Sequence, residues 1–324
     1  MGMAPLDELP ESDRALLREG PAPRHAAPMK AVLTDERFDR EGWIFERKLD
    51  GIRCIAIRSA DGVRLLSRND LPLDDRYPEI AAALAADPSG RFAVDGEVVA
   101  FDGRQTSFSL LAQRKRKPVP VFYYAFDLLW LDGFDTRRLP LRTRKRLLRA
   151  SLRFEDPIRL TSHRNEHGKE LFAEACRRGW EGLIAKRAAG PYSDRRSRDW
   201  LKFKCERGQE LVIGGFTDPQ GSRTGFGALL LGYYAEGELR YAGKVGTGFD
   251  EATLAELSAR LAELRIAESP FAGPAESARG THWVRPELVA EVAFAEWTRH
   301  GRLRHPRFLG LRDDKDAGEV VRER

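Results

Sequence analysis

Two Asp-Gly steps, Asp50-Gly51 and Asp61-Gly62, divide the stretch WIFERKLDGIRCIAIRSADGVRLLSRN into short runs. The runs Trp43–Phe45, Arg53–Arg58 and Val63–Ser67 have the composition of strands. Asp-Gly favours tight turns because glycine accepts a positive φ without steric cost. Both steps are therefore predicted as hairpin turns, and the region as antiparallel sheet. The pattern recurs. Phe92–Phe101 reads as two short strands about a turn, and Val121–Trp130 as one aromatic strand. Gly182–Arg187 and Trp200–Lys204 read as two more.

Helices are predicted at Ile80–Ala86, at the basic Leu141–Leu152 segment, and at Glu166–Arg178, ended by Gly179. Residues 1–27, rich in Pro, Ala and charge, read as a lead-in. Near Gly208 the texture changes to glycine-studded short strands, LVIGGFTDPQGSRTGFGALLLGYYAEGELRYAGKVGTGF. A helix at Asp250–Leu264 follows, and WVRPELVAEVAFAEWT supplies the closing strands. That is the pattern of a small antiparallel barrel. The expected organisation is 28–207 for a first domain and 208–324 for a second.

The chain's 324 residues suffice for two domains, and 42% hydrophobic residues can form a core. The 55 Lys and Arg against 50 Asp and Glu leave a net charge of +5. That excess favours polyanions only mildly. Cys54, Cys176 and Cys205 form no C-x-x-C pair, so free thiols in a reducing compartment are expected. No apolar run reaches the roughly 20 residues that cross a bilayer, and the acidic N-terminus lacks a signal core. His163 and His167 stand four apart in a polar, loop-like context, which argues against a zinc site.

The charged residues within the strands matter most. Lys48 lies between a strand and a Gly turn in ERKLDGIR. A lysine acts as a nucleophile only as the free amine, which a depressed pKa favours. Glu46, two residues earlier, shares its strand face, and Arg53 offers a fork of donors for a sugar or phosphate oxygen. A charged hairpin is the plain alternative. Ser67-Arg68-Asn69, Asp95-Gly96-Glu97, Phe126-Asp127, Glu181-Gly182 and Lys186 follow in order, and Lys202 and Lys204 share one strand face. Singly, these fit surface carboxylates, a lysine-guarded edge strand or a core aromatic. Together they meet a nucleotide's needs: cations for a triphosphate, carboxylates for magnesium, an aromatic face for a purine.

The motifs ERKLDGIR, SRN, YAFDLL, EGLIAK, WLKFK and RDDK, in this order, resemble those of the covalent nucleotidyltransferases. That superfamily comprises ATP-dependent DNA ligases, RNA ligases and capping enzymes. GSRTGFGALLLGYY, RYAGKVGTGF and LRHPRFLGLRDDK are most similar to the ligase domain of the bacterial end-joining ligases. The resemblance covers about Pro28 to Lys315. It implies an α+β adenylation domain of antiparallel sheets with helices, followed by an OB-fold barrel. It implies a DNA ligase that seals 3′-hydroxyl/5′-phosphate nicks through lysyl-AMP and DNA-adenylate. Lys48 would carry the AMP from ATP, with Mg2+ or Mn2+ at Glu97 and Glu181. Glu46, Arg53, Arg68, Glu97, Phe126, Lys186, Lys202 and Lys204 would hold the nucleotide, Phe126 by stacking on adenine. Arg312, Asp314 and Lys315 would orient pyrophosphate, which requires a hinge near Lys204–Gly208.

Nicked duplex DNA is the implied substrate, met by Arg68; the basic run Arg114, Lys115, Arg116 and Lys117 reads from its charge as a DNA-contacting loop or, equally, as a solvated face. Arg142–Arg146 reads instead as a solvated face. A monomeric, cytoplasmic, nucleoid-associated protein, with a Ku-like end-binding protein as partner, completes the expectation. The short segment before Lys48 leaves no room for a large helical DNA-binding domain. An RNA ligase or GTP-using capping enzyme shares the first step, and a DNA-end scaffold could keep the fold without catalysis.

Overall fold

Alternation of apolar and polar residues sorts most strands of the first two thirds of the chain into two sheets that face one another. The computed structural model describes residues 5–323 other than 206, 220, 222, 223, 274 and 276–279. It divides into two compact units, Met1–Cys205 and Glu206–Arg324. Within the expected hinge, residue 206 lies outside the described residues.

In the first unit, one sheet orders its strands Arg18–Glu19, Phe134–Asp135, Phe122–Leu131, Phe92–Val99, Ile52–Ser59 and Gly62–Ser67. Ile158–Leu160 lies parallel to Phe122–Leu131 at its side. The second sheet orders His163–Asn165, Trp43–Lys48, Gly182–Arg187, Arg196–Lys204 and Lys30–Leu33. Its two faces divide by residue parity. Phe45, Leu183, Ala185, Leu201 and Phe203 pack with Leu171 and Ala175 of the Gly168–Arg177 helix. The opposite face turns toward the first sheet, where Trp200 joins Ile55, Ile57, Phe126 and Trp130 in one core.

Asp61-Gly62 makes the expected hairpin, with Ser59 opposite Gly62. Asp50-Gly51 does not. The strands either side of it belong to different sheets, because long-range bonds replace the local pairing. Asp50 N–H donates to Thr106 Oγ1 at 3.0 Å, and its carboxylate accepts from Phe108 N–H at 2.9 Å. A Cβ on Gly51 would lie 2.3 Å from the Val98 carbonyl, so only glycine lets the chain cross here. Lys48 thus stands where the chain passes from one sheet to the other.

Three further expectations are corrected. Phe92–Val99 is one continuous strand, since Asp95 and Gly96 pair on both sides in the middle of the sheet. The lead-in contributes the two-residue strand Arg18–Glu19 to the sheet, and Trp130 Nε1 donates to the Gly20 carbonyl. Cys176 and Cys205 are joined in a disulfide, while Cys54 remains a buried free thiol. The packing of the Gly168–Arg177 helix on the second sheet brings the ends of helix and strand together, with the two Cα atoms 5.3 Å apart.

The second unit is a glycine-rich antiparallel sheet around the Glu251–Glu263 helix, the OB-type architecture. Its long strand Arg207–Thr217 pairs with Val289–Phe294 in its first half and with Thr281–Val284 in its second. Arg207–Thr217 also pairs with Leu229–Ala235, which pairs with Glu238–Val245. Among the described residues the ladder does not close on itself, so the expected barrel is an open one.

Candidate active site

The strand registers gather the motif residues of the first unit onto one face. Gly182 lies opposite both Lys48 and Lys204, Ile184 opposite both Glu46 and Lys202, and Lys186 opposite both Ile44 and Trp200. With a two-residue period, Glu46, Lys48, Lys186, Trp200, Lys202 and Lys204 therefore share a face. The facing sheet supplies Arg53, opposite Glu97, together with Phe126. Gly182 makes the tight centre possible. Its φ is +150°, and a Cβ there would lie 1.8 Å from the Phe203 carbonyl.

Lys48 Nζ lies 2.5 Å from Glu181 Oε1. Burial, the largest influence, pushes the Lys48 amine down, as does Lys204, but the carboxylates of Glu181 and Glu97 together outweigh them, so the net direction is up. The depressed pKa expected for a nucleophile is thus absent while Glu181 holds the ammonium. Glu181 Oε2 is buried with no hydrogen-bond partner. An orphaned carboxylate oxygen beside a half-buried lysine fits a divalent cation, which magnesium sites build from one or two carboxylates plus substrate phosphates. Glu97, half-buried and near enough to act on Lys48 and Arg53, is the second carboxylate of that set. No group of three or more His, Cys, Asp or Glu capable of holding a metal exists among the described residues.

Arg53 is aimed by a partner that motif reading passed over. Its Nε and a terminal nitrogen each lie 2.5 Å from the two oxygens of the wholly buried Asp95. Tyr192 donates to Asp95 at 2.6 Å and accepts from Met29 N–H. The Arg53 guanidinium then lies 4.6 Å from the centre of the Phe126 ring. Phe126 is buried beneath Arg53, Lys186 and Trp200. A base stacked on its ring has to enter beside these cations.

Glu46 carries a second unread feature. Its two oxygens lie 2.6 Å from Lys145 Nζ and 2.7 Å from Lys186 Nζ, and all three side chains are 7% exposed or less. Lys145 comes from the Leu141–Ser151 helix, as does Arg144, which forms a wholly buried pair with Asp127. The Arg142–Arg146 run is thus not simply a solvated face: Arg142 and Arg146 are exposed, while Arg144 and Lys145 turn inward. The signal was present, since Leu141, Arg144, Lys145 and Leu148 follow the i, i+3, i+4, i+7 spacing of a buried helix face.

Arg68 is half-buried, and its Nε has no partner among the described residues. In the basic run, Arg114 is tied down by the Arg76 carbonyl and the Glu79 carboxylate, whereas Lys115, Arg116 and Lys117 are exposed. In the second unit, Arg312 is buried with both oxygens of Asp314 at 2.9 Å and Glu291 at 3.2 Å. Lys315 Nζ lies 2.7 Å from Glu210. These cations are held by carboxylates of their own unit.

Two largely antiparallel sheets enclosing a half-buried lysine, a carboxylate with a spare oxygen and further cations, together with an OB-type unit, define a nucleotidyl-transfer scaffold. The chain belongs to the ATP-dependent DNA ligase family. Residues 23–204 match the family described as ATP dependent DNA ligase domain, and residues 222–315 match ATP dependent DNA ligase C terminal region. The chain is similar to the multifunctional non-homologous end joining protein LigD of Pseudomonas aeruginosa. The two are 43% identical over 315 residues, 94% of this chain and 37% of that protein. The LigD of Mycobacterium tuberculosis is 42% identical, over 92% of this chain and 40% of that protein. The chain thus spans about two fifths of the length of these relatives. A solved mycobacterial DNA ligase D complexed with ATP and MES is similar in structure, with a TM-score of 0.66 and 38% identity over 92% of this chain and 98% of that one. No helix among the described residues is long and apolar enough to cross a membrane.

Proposed function

We propose that this ligase seals 3′-hydroxyl/5′-phosphate nicks in duplex DNA, with Lys48 as the adenylylated nucleophile, in repair or end joining. The observation that carries the reading is Lys48 itself. It is half-buried at the crossing between two sheets and paired with Glu181, on the face it shares with Lys186, Lys202 and Lys204.

The resting Lys48–Glu181 pair is a protonated ground state. Glu181 and Glu97 would hold a divalent cation, which would supply positive charge against the triphosphate. The Lys48 ammonium gives its proton to solvent before attack, a loss that burial and Lys204 favour and Glu181 opposes. The free amine attacks the α-phosphorus of ATP, forming a P–N bond as the bond to pyrophosphate breaks. Lys186, Lys202 and Lys204 balance charge on the phosphates, and Arg53 and Phe126 bracket the nucleoside. The AMP then passes to the 5′-phosphate of the nick, and the 3′-hydroxyl displaces it. Arg312, Asp314 and Lys315 serve the first step. Exposed Lys115, Arg116 and Lys117, with Arg68, contact the DNA backbone. The end-joining role printed for the similar LigD supports a place in end joining, with a Ku-like end-binding protein as the proposed partner and a cytoplasmic, nucleoid-associated location as part of the same proposal.

The test is labelling with α-phosphate-labelled ATP or GTP, resolved on a denaturing gel, followed by sealing of nicked DNA and nicked RNA. The expected result is an AMP adduct lost in Lys48→Ala, and sealing of DNA. An adduct surviving in Lys48→Ala, or formed only from GTP, overturns the reading.

A further inference from the structure

Lys145 has a consequence for the same site. Lys145 and Lys186 bring two positive charges to the single carboxylate of Glu46, which leaves one in excess in a buried cluster. Asp127 does not cancel it, because Arg144 binds both Asp127 oxygens, at 2.7 and 2.9 Å. His163 also lies near Lys186, and burial and Lys145 push it toward the neutral form. The Lys186 ammonium also lies 3.9 Å from the centre of a Trp200 ring and 4.3 Å from that of Phe126, so it is steered toward the inter-sheet space. A buried surplus cation of this kind is stabilised by an incoming anion.

We propose that Lys145 is a positioning residue for nucleotide transfer: by occupying one oxygen of Glu46, it prevents Glu46 from capturing Lys186 with both, and so leaves Lys186 able to engage the bound nucleotide. The proposal rests on the lysine-adenylylation reading. Lys145 does not itself touch the nucleotide. It acts through Glu46, the residue it shares with Lys186.

The pH dependence distinguishes this role from simple packing. Burial pushes the Lys186 amine down and Glu46 pushes it up, while Lys145 adds to the lowering; the result is about 8. Loss of Lys145 removes a repulsion and tightens the grip of Glu46, so Lys186 keeps its proton to higher pH.

The experiment measures single-turnover formation of the Lys48 adduct at saturating ATP from pH 6 to 10 in the full chain, alongside melting temperature. Lys145→Met is expected to slow adduct formation on the order of 30-fold and to move the alkaline limb of the profile upward. Lys145→Arg keeps the charge and retains the rate within about threefold. Adding Glu46→Gln to Lys145→Met recovers much of the loss, because no carboxylate remains to capture Lys186. Lys145→Gln replaces Lys145→Met should the latter not fold. A wild-type rate in Lys145→Met, an unmoved alkaline limb, or simple addition of the two losses overturns the proposal. Failure of the wild-type chain to take label on Lys48 is a separate result, and sinks the adenylylation reading instead.

Discussion

Asp127→Asn isolates the strut that aligns the helix bearing Lys145 with the strand bearing Phe126. The Asp127 and Arg144 side chains are both 0% exposed. Arg144 donates to the two Asp127 oxygens at 2.7 and 2.9 Å and to the carbonyls of Leu139 and Gly190. Removing one partner of a buried ion pair leaves the other charge uncompensated, at a cost of about 3–5 kcal/mol. The lower end applies here. An amide oxygen still accepts one bond, and the two carbonyls remain. For a unit the size of Met1–Cys205, about 3 kcal/mol corresponds to a fall in melting temperature of roughly 6–12 °C. Calorimetry of the full chain, following the transition of the first unit, reads that shift. Replacing both residues, as in Asp127→Leu with Arg144→Met, should restore most of it, since no buried charge is then orphaned. A first transition at the wild-type temperature in Asp127→Asn refutes the strut. A double variant no more stable than Asp127→Asn refutes the charge argument for it.

Two other predictions concern covalent and acid stability. The Cys176–Cys205 bond closes a separation of 29 residues, so its reduction, or Cys176→Ser, should destabilise the first unit by roughly 3–4 kcal/mol, read as a lower midpoint in urea unfolding with and without a dithiol reductant. In the second unit, burial pushes the Asp314 carboxyl up, but Arg312 and Lys315 outweigh it and hold it down at about 2. A depressed carboxyl stabilises the fold above its ordinary value and loses that contribution as pH falls through the folded one. Wild-type melting temperature should therefore drop more steeply from pH 4 to pH 2 than that of Asp314→Asn, and parallel curves rule the pair out as the source.

Local chemistry in the sequence announced Lys48, Arg53, Lys186 and the lysines of the Trp200–Lys204 run, because each lies on a strand whose period could be read. It announced the change of texture near Gly208 for the same reason. Pairing was not legible. Asp50-Gly51 and Asp61-Gly62 are chemically the same step, yet one closes a hairpin and the other joins two sheets. The difference is made by Thr106 and Phe108, more than fifty residues away. Asp95 and Tyr192 were invisible as supports of Arg53 because they lie 97 residues apart. The disulfide was hidden likewise: spacing says nothing about a helix end and a strand end meeting. Lys145 was legible in principle, but its basic neighbours disguised a buried position as a solvated one.

The bond at Cys205 also sets the load path of the chain. The Arg196–Lys204 strand delivers Trp200, Lys202 and Lys204 to the site, and Cys205 follows it directly as the last residue of the first unit. A pull transmitted along the backbone from the second unit reaches Cys205 before it reaches Lys204. There the covalent link diverts it into the Gly168–Arg177 helix and its packing on the sheet. The disulfide is an anchor bolt at the end of the Arg196–Lys204 strand, and it isolates Lys202 and Lys204 from tension arising beyond Cys205.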